Sequence, residues 1–137
     1  MSPFDTLIQD YCQRDTQASV APRASAHEPY QFRHDQHGVT VFCQQINTNI
    51  VLHSAITVLT APAKDDPKAL DHIQSLLKVN FARQKESPSA LAYDERANTL
   101  ILYHQLPLAN VVVWQFKEAM DSFCQSVLFW KKVSRAS

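Results

Sequence analysis

Glycine is nearly absent from this 137-residue chain, and Gly38 is the only one. A loop that cradles phosphate needs glycines so that the backbone can approach the oxygens closely. Neither a P-loop nor a GxGxxG turn can be written here, and nucleotide chemistry of those kinds is excluded. Cysteine is also scarce. Cys12, Cys43 and Cys124 are odd in number and never fall as CxxC, so they read as reduced thiols in a cytoplasmic protein. Net charge is missing as well, with thirteen basic and thirteen acidic residues. That leaves no broad electrostatic footprint for nucleic acid or an anionic membrane. It also removes charge repulsion as a safeguard against self-association, which leaves a dimer open. No apolar run reaches the roughly 20 residues that span a bilayer. The opening MSPFDTLIQDY has no basic n-region and is interrupted by Asp5, so it does not read as a secretory signal.

What is present is ordinary globular material, 45% hydrophobic and 19% charged, which argues against disorder along the whole length. The length fits a single domain over 1–137. A chain of this size buries roughly two thirds of its unfolded surface and needs no disulfide, metal or cofactor to fold.

Hydrophobic spacing predicts the elements. Ser2 caps a first helix with Pro3 in its opening position. Phe4, Leu7, Ile8 and Tyr11 fall on one stripe, and the helix fades near Arg14. Residues 15–29 carry small and polar side chains and two prolines, and read as a surface linker. Three strands follow. Tyr30–His34 is short. After a turn at Gly38, Val39, Val41 and Cys43 alternate on one face. Asn47, Thr48 and Asn49 form the next turn. The strand from Ile50 to Thr60 places Ile50, Leu52, Ile56 and Val58 on one face and Val51, His53, Ala55, Thr57 and Leu59 on the other. Pro62 closes that strand.

Asp66 caps a second helix that starts at Pro67 and runs to about Gln84. Leu70, Ile73, Leu77 and Phe81 form its stripe, widened by Leu76 and Val79. Ser87-Pro88 ends it. A hairpin pairs Ala90–Asp94 with Thr99–Gln105. Asn110 is the candidate cap of a last helix in which Val113, Phe116, Met120, Phe123, Val127 and Trp130 recur at steps of three and four. The order is αβββαββα, an α+β fold with a twisted antiparallel sheet packed against helices.

Few residues are equipped for chemistry. His34 and His37 form an HxxH around a turn, but structural zinc wants four ligands and no second pair completes the set. Cys43 and His53 lie on neighbouring strands. A Cys–His nucleophile needs an exposed, activated thiolate, whereas Cys43 falls on an apolar face. Asp65-Asp66 and Asp94-Glu95 are explained by capping and turn chemistry. Trp114 and Trp130 read as core or interface anchors. No catalytic residue, metal or cofactor is assigned.

The strings Leu76-Leu77-Lys78-Val79-Asn80-Phe81, Leu91-Ala92-Tyr93-Asp94 and Leu100-Ile101-Leu102-Tyr103-His104-Gln105-Leu106-Pro107-Leu108, followed by the long closing helix, carry a family pattern. In this order the chain resembles the class I type III secretion chaperones, the Tir-chaperone (CesT-like) family. The resemblance implies a type III secretion chaperone-like fold and a non-enzymatic cytoplasmic dimer. Such a protein binds the N-terminal segment of a secreted effector in extended form, and keeps it soluble and export-competent without ATP. It also implies a dimer interface on the second helix and the hairpin beside it, with Leu76, Leu77, Phe81, Leu91 and Tyr93 as candidates. Two departures stand out: the family is usually acidic and this chain is neutral, and the linker after the first helix is long. Both leave room for a specialised member, including one that forms a heterodimer with a second chaperone.

An extended client can add a strand to a sheet edge and seat alternate side chains in pockets. Because the first helix leads directly into the first strands, Phe4, Leu7, Ile8, Tyr11, Tyr30, Phe32, Val39 and Val41 are the candidate client-binding residues; the competing reading makes them core. Two other function classes compete as well. One is a small-ligand-binding or catalytic α+β domain with a pocket between sheet and helix. The other is a structural adaptor subunit of a secretion complex, with a folded partner.

Overall fold

The computed structural model describes residues 2–14, 18–21, 23, 25, 27–34, 38–58, 65–83 and 89–135. His37, Leu59, Pro62, Gln84 and Ser87-Pro88 lie outside the described residues. The elements are α1 (Pro3–Arg14), β1 (Ala18–Ala21), β2 (Tyr30–His34), β3 (Val39–Ile46), β4 (Asn49–Val58), α2 (Pro67–Arg83), β5 (Ala90–Asp94), β6 (Thr99–Pro107) and α3 (Val113–Arg135). The sequence reading is recovered with one additional strand, β1, inside the segment taken as linker.

Local chemistry explains the element boundaries. The Asp5 amide donates to Ser2 Oγ at 3.1 Å, which satisfies one of the orphan donors of the α1 start. The Lys68 and Ala69 amides do the same to Asp66 Oδ1 at 3.1 and 3.4 Å. The third helix begins differently from expectation. Asn110 has a φ of 65° and sits in the preceding turn. The Val112 amide is instead satisfied by Gln115 Oε1 at 3.1 Å, the return half of a capping box. Asn47 at φ 56° and Asn98 at φ 49° take left-handed conformations in the β3–β4 and β5–β6 turns, where Asn is tolerated better than most residues. Asp94 Oδ1 accepts from the Arg96 and Ala97 amides at 3.0 and 3.3 Å, so this carboxylate builds the hairpin turn.

The six strands form one antiparallel sheet in the order β1-β2-β3-β4-β6-β5. Helices α1 and α3 pack together, α3 lies against β3 and β4, and α2 sits against β5. The core is the apolar face beneath these helices. Its fully buried members include Tyr11, Phe32, Val41, Ile50, Leu52, Leu100, Leu102, Phe116 and Met120. The predicted α3 seam is observed: Phe116, Met120, Phe123, Val127 and Trp130 are all buried, and Val113 is partly buried against the core. Val58 departs from its predicted face. The pairing of β4 with β6 shifts register between Ala55 and Thr57. A bulge of this kind turns the residues beyond it, and Val58 is left 67% exposed.

Candidate functional site

The eight candidate client-binding residues are brought together, but beneath the surface. Phe4, Leu7, Ile8, Tyr11, Phe32, Val39 and Val41 are all buried in one cluster, and Tyr30 is half-buried beside it. Tyr11 sets the geometry. Its ring makes edge contacts with Phe32 of β2 at 5.4 Å and Phe116 of α3 at 5.0 Å. Phe4 meets Tyr30 in the same manner at 5.6 Å. The stripe on α1 is therefore spent on holding α1 down on the strands. Among the described residues, the sheet edge at β2 and helix α1 border these side chains.

That edge is covered by β1. It pairs with β2 in the register Ser19 to Arg33 and Val20 to Phe32. Just beyond it, Arg23 ties the segment down. Its Nη2 donates to Asp5 Oδ1 at 3.1 Å and to the Tyr30 hydroxyl oxygen at 2.9 Å, and Nη1 donates to the Glu28 carbonyl at 3.3 Å. The guanidinium carbon stands 3.7 Å from the centre of the Tyr30 ring, close enough for a cation–π attraction. The Tyr30 hydroxyl in turn donates to Asp5 Oδ1 at 2.7 Å. Electrostatics follow from these contacts. The Tyr30 hydrogen bond lowers the Asp5 carboxyl below its ordinary range, helped by Ser2 and by the Arg23 charge. Burial, then the bond to Asp5, pushes the Tyr30 hydroxyl up to about 12. An open groove of about 410 Å³ lies beside this cluster, between the first turn of α1 and the end of β3. It is lined mainly by polar side chains and is open to solvent. Nothing in the linker composition announces Arg23 as a tether, because its partners lie 18 residues upstream and 7 downstream.

The dimer candidates divide by exposure. Leu76 and Leu91 are buried in the chain's own core, Leu77 and Tyr93 are partly buried, and Phe81 is 76% exposed. On α2 the inward side is formed by Ile73, Leu76 and Asn80. Helical spacing places Leu70, Leu77 and Phe81 on an adjoining strip, and Leu70 is exposed like Phe81. This strip is an apolar surface at the α2 side of the molecule. A second exposed aromatic, Trp114 at 59%, lies on the first turn of α3.

Cys43 and His53 are not assembled into a reactive site. Cys43 pairs with Leu52, and His53 pairs with Phe42. Strand alternation then puts the thiol in the core and the imidazole on the opposite face. His53 stacks on Phe42, with ring centres 5.2 Å apart. Burial lowers the His53 pKa below 6.5, and burial pushes the Cys43 thiol up, away from the thiolate needed for nucleophilic work. His34 is buried on β2. Among the described residues no group of three or more His, Cys, Asp or Glu side chains is placed to hold a metal ion. Among the same residues no helix is long and apolar enough to cross a membrane.

Comparison with known proteins gives this arrangement a family. The model of the Tir chaperone protein (CesT) family matches residues 19–131, and the chain belongs to that family. No curated protein matches it by sequence. Solved structures share its fold. A chain of the HopA1–SchA chaperone–effector complex superposes with a TM-score of 0.69 at 17% identity, covering 95% of this chain and 94% of its own. A chain of the ExsC–ExsE complex gives 0.64 at 13% identity, covering 94% and 91%. A chain of the complex between the Yersinia pestis type III secretion chaperone SycH and a stable fragment of YscM2 gives 0.59 at 14% identity, covering 93% and 98%.

Proposed function

We propose that this member of the Tir chaperone family is a non-enzymatic cytoplasmic chaperone, built as one domain, for a type III secreted effector. It binds the N-terminal segment of that effector in extended form and keeps it soluble and competent for export. The observation that carries this reading is the family match over most of the chain. Two of the similar structures are named as a chaperone–effector complex and as a type III secretion chaperone with a protein fragment bound. The geometry supports it from another side. Cys43 and His34 are buried, and Asp66 and Asp94 are engaged in a cap and a turn, while apolar side chains remain exposed at Phe81, Leu70 and Trp114. Surfaces of that kind serve other polypeptides.

The client seat belongs to the β2 end of the sheet. Tyr30 stands at its rim, and Phe4, Leu7, Ile8, Tyr11, Phe32, Val39 and Val41 form the packed wall behind it. The chaperone is a homodimer through α2 and the neighbouring hairpin. Leu77, Phe81 and Tyr93 meet the second copy, while Leu76 and Leu91 support them from beneath. Zero net charge sets no long-range barrier to two copies meeting.

The test is co-expression with the type III effectors of the same cell, followed by gel filtration without nucleotide. One effector is expected to co-elute with the chain, and its N-terminal segment alone is expected to suffice. A folded protein that retains none of them overturns the proposal.

A further inference from the structure

We propose that β1 is a removable strap: the chain's own segment occupies the β2 edge until an extended segment of the client takes its place, and Arg23 is the latch. The inference rests on the chaperone reading above and adds to it how access to the seat is controlled.

Three observations carry it. First, β1 lies at the outer edge of the sheet and spans only Ala18–Ala21. Its largest side chain, Val20, is 38% exposed, although it pairs with Phe32, which is wholly buried. The strap therefore covers the edge mainly with backbone hydrogen bonds, and Val20 stays partly open to solvent. Such a ladder gains about what ordering the same few residues costs, so β1 is a weakly held occupant. Second, the strand beneath it is held independently. Phe32 is clamped by the Tyr11 ring, and β2 pairs along its full length with β3 from Tyr30–Cys43 to His34–Val39. Removing β1 leaves a firm edge with unpaired backbone groups, the template to which an extended peptide adds. A client strand with a larger apolar residue opposite Phe32 would bury more there than Val20 does. Third, beyond the ladder with β2 and the contact of β1 with α1, one side chain ties the strap to two elements at once. Arg23, two residues past β1, joins Asp5 of α1, the Tyr30 hydroxyl of β2 and the Glu28 carbonyl, and its guanidinium covers the Tyr30 ring. Tyr30 is thus shielded by the strap while the strap is seated, and uncovered when Arg23 lets go.

Two experiments test the strap separately from the chaperone function. The first needs no client. In hydrogen exchange of the full chain, β1 and the β2 amides paired to it are expected to exchange at least tenfold faster than the β3–β4 ladder, and R23A is expected to speed them at least a further tenfold without altering β3–β4. Exchange of β1 at the rate of β3–β4, or no effect of R23A, overturns the strap. The second uses the N-terminal segment of the effector recovered by co-expression. Ser19 and Arg33 are direct cross-strand partners, a spacing a disulfide can bridge. S19C with R33C, in a C12S background, locks β1 when oxidised. Binding of the segment is expected to fall at least tenfold in the oxidised form and to return on reduction, while R23A is expected to bind more tightly than the unmodified chain. Equal binding by the oxidised and reduced forms overturns strand replacement and leaves the chaperone reading intact. If no effector binds even the unmodified chain, the chaperone reading fails, and the exchange rates alone decide whether β1 is a strap.

Discussion

Tyr11 has no exposed surface, and its ring joins α1 to β2 through Phe32 and to α3 through Phe116. Truncating it removes a large aromatic from a site where three elements meet and cannot all collapse inward. Tyr11→Ala is expected to cost about 3–5 kcal/mol, read as a fall in the urea midpoint at unchanged slope. A cost near that of a surface substitution would show that the α1 stripe is not core. His53 gives a pH signature. Burial lowers its folded pKa below 6.5, so the folded state keeps it neutral while the unfolded chain takes up a proton. Its contribution is fully present above pH 6.5 and is lost as pH falls through 6.5 toward the folded value. Urea midpoints at pH 7.5 and 5.5 are expected to differ more for the unmodified chain than for His53→Gln. An equal difference would mean that the imidazole is as well solvated folded as unfolded.

At the scale of elements, α2 carries two adjoining strips. Ile73, Leu76 and Asn80 face the chain's own core; beside them Leu70 and Phe81 are exposed and Leu77 is partly buried. Phe81→Asp touches little within the chain, so folding stability is expected to change by no more than about 0.5 kcal/mol. Sedimentation at micromolar concentration is expected to show a dimer for the unmodified chain and a monomer for this variant. A dimer that survives Phe81→Asp would place the interface elsewhere.

Elements whose causes are local were legible in the sequence. Ser2 and Asp66 announce helix starts, and the spacing from Phe116 to Trp130 announces one buried seam. Features whose causes lie far along the chain were not. Ala-Ser-Val-Ala carries no alternation strong enough to read as a strand, and β1 exists because β2, beginning nine residues after it ends, supplies a partner. Val58 was assigned to the wrong face because a bulge in β4 depends on β6. The α2 stripe was drawn as one band, whereas the buried Asn80 shows that the inward side is rotated from it. The candidate seat suffered from the same limit. Periodicity identifies an adhesive face such as Phe4–Tyr11 without identifying what covers it, and here the covering strands belong to the same chain.

At the scale of the whole molecule, the sheet has one face committed to helices, one edge closed by a four-residue strand, and exposed apolar side chains on α2 and α3. Catalysis needs groups converging on a pocket, whereas holding an extended chain needs a firm edge and an apolar surface near it. The measurement that tests this account most directly is hydrogen exchange of the effector within the purified complex, without nucleotide. The account predicts protection along one continuous N-terminal stretch of the effector, with the rest of the client exchanging as it does alone. Protection spread over a folded body of the effector, or none at all, would contradict it.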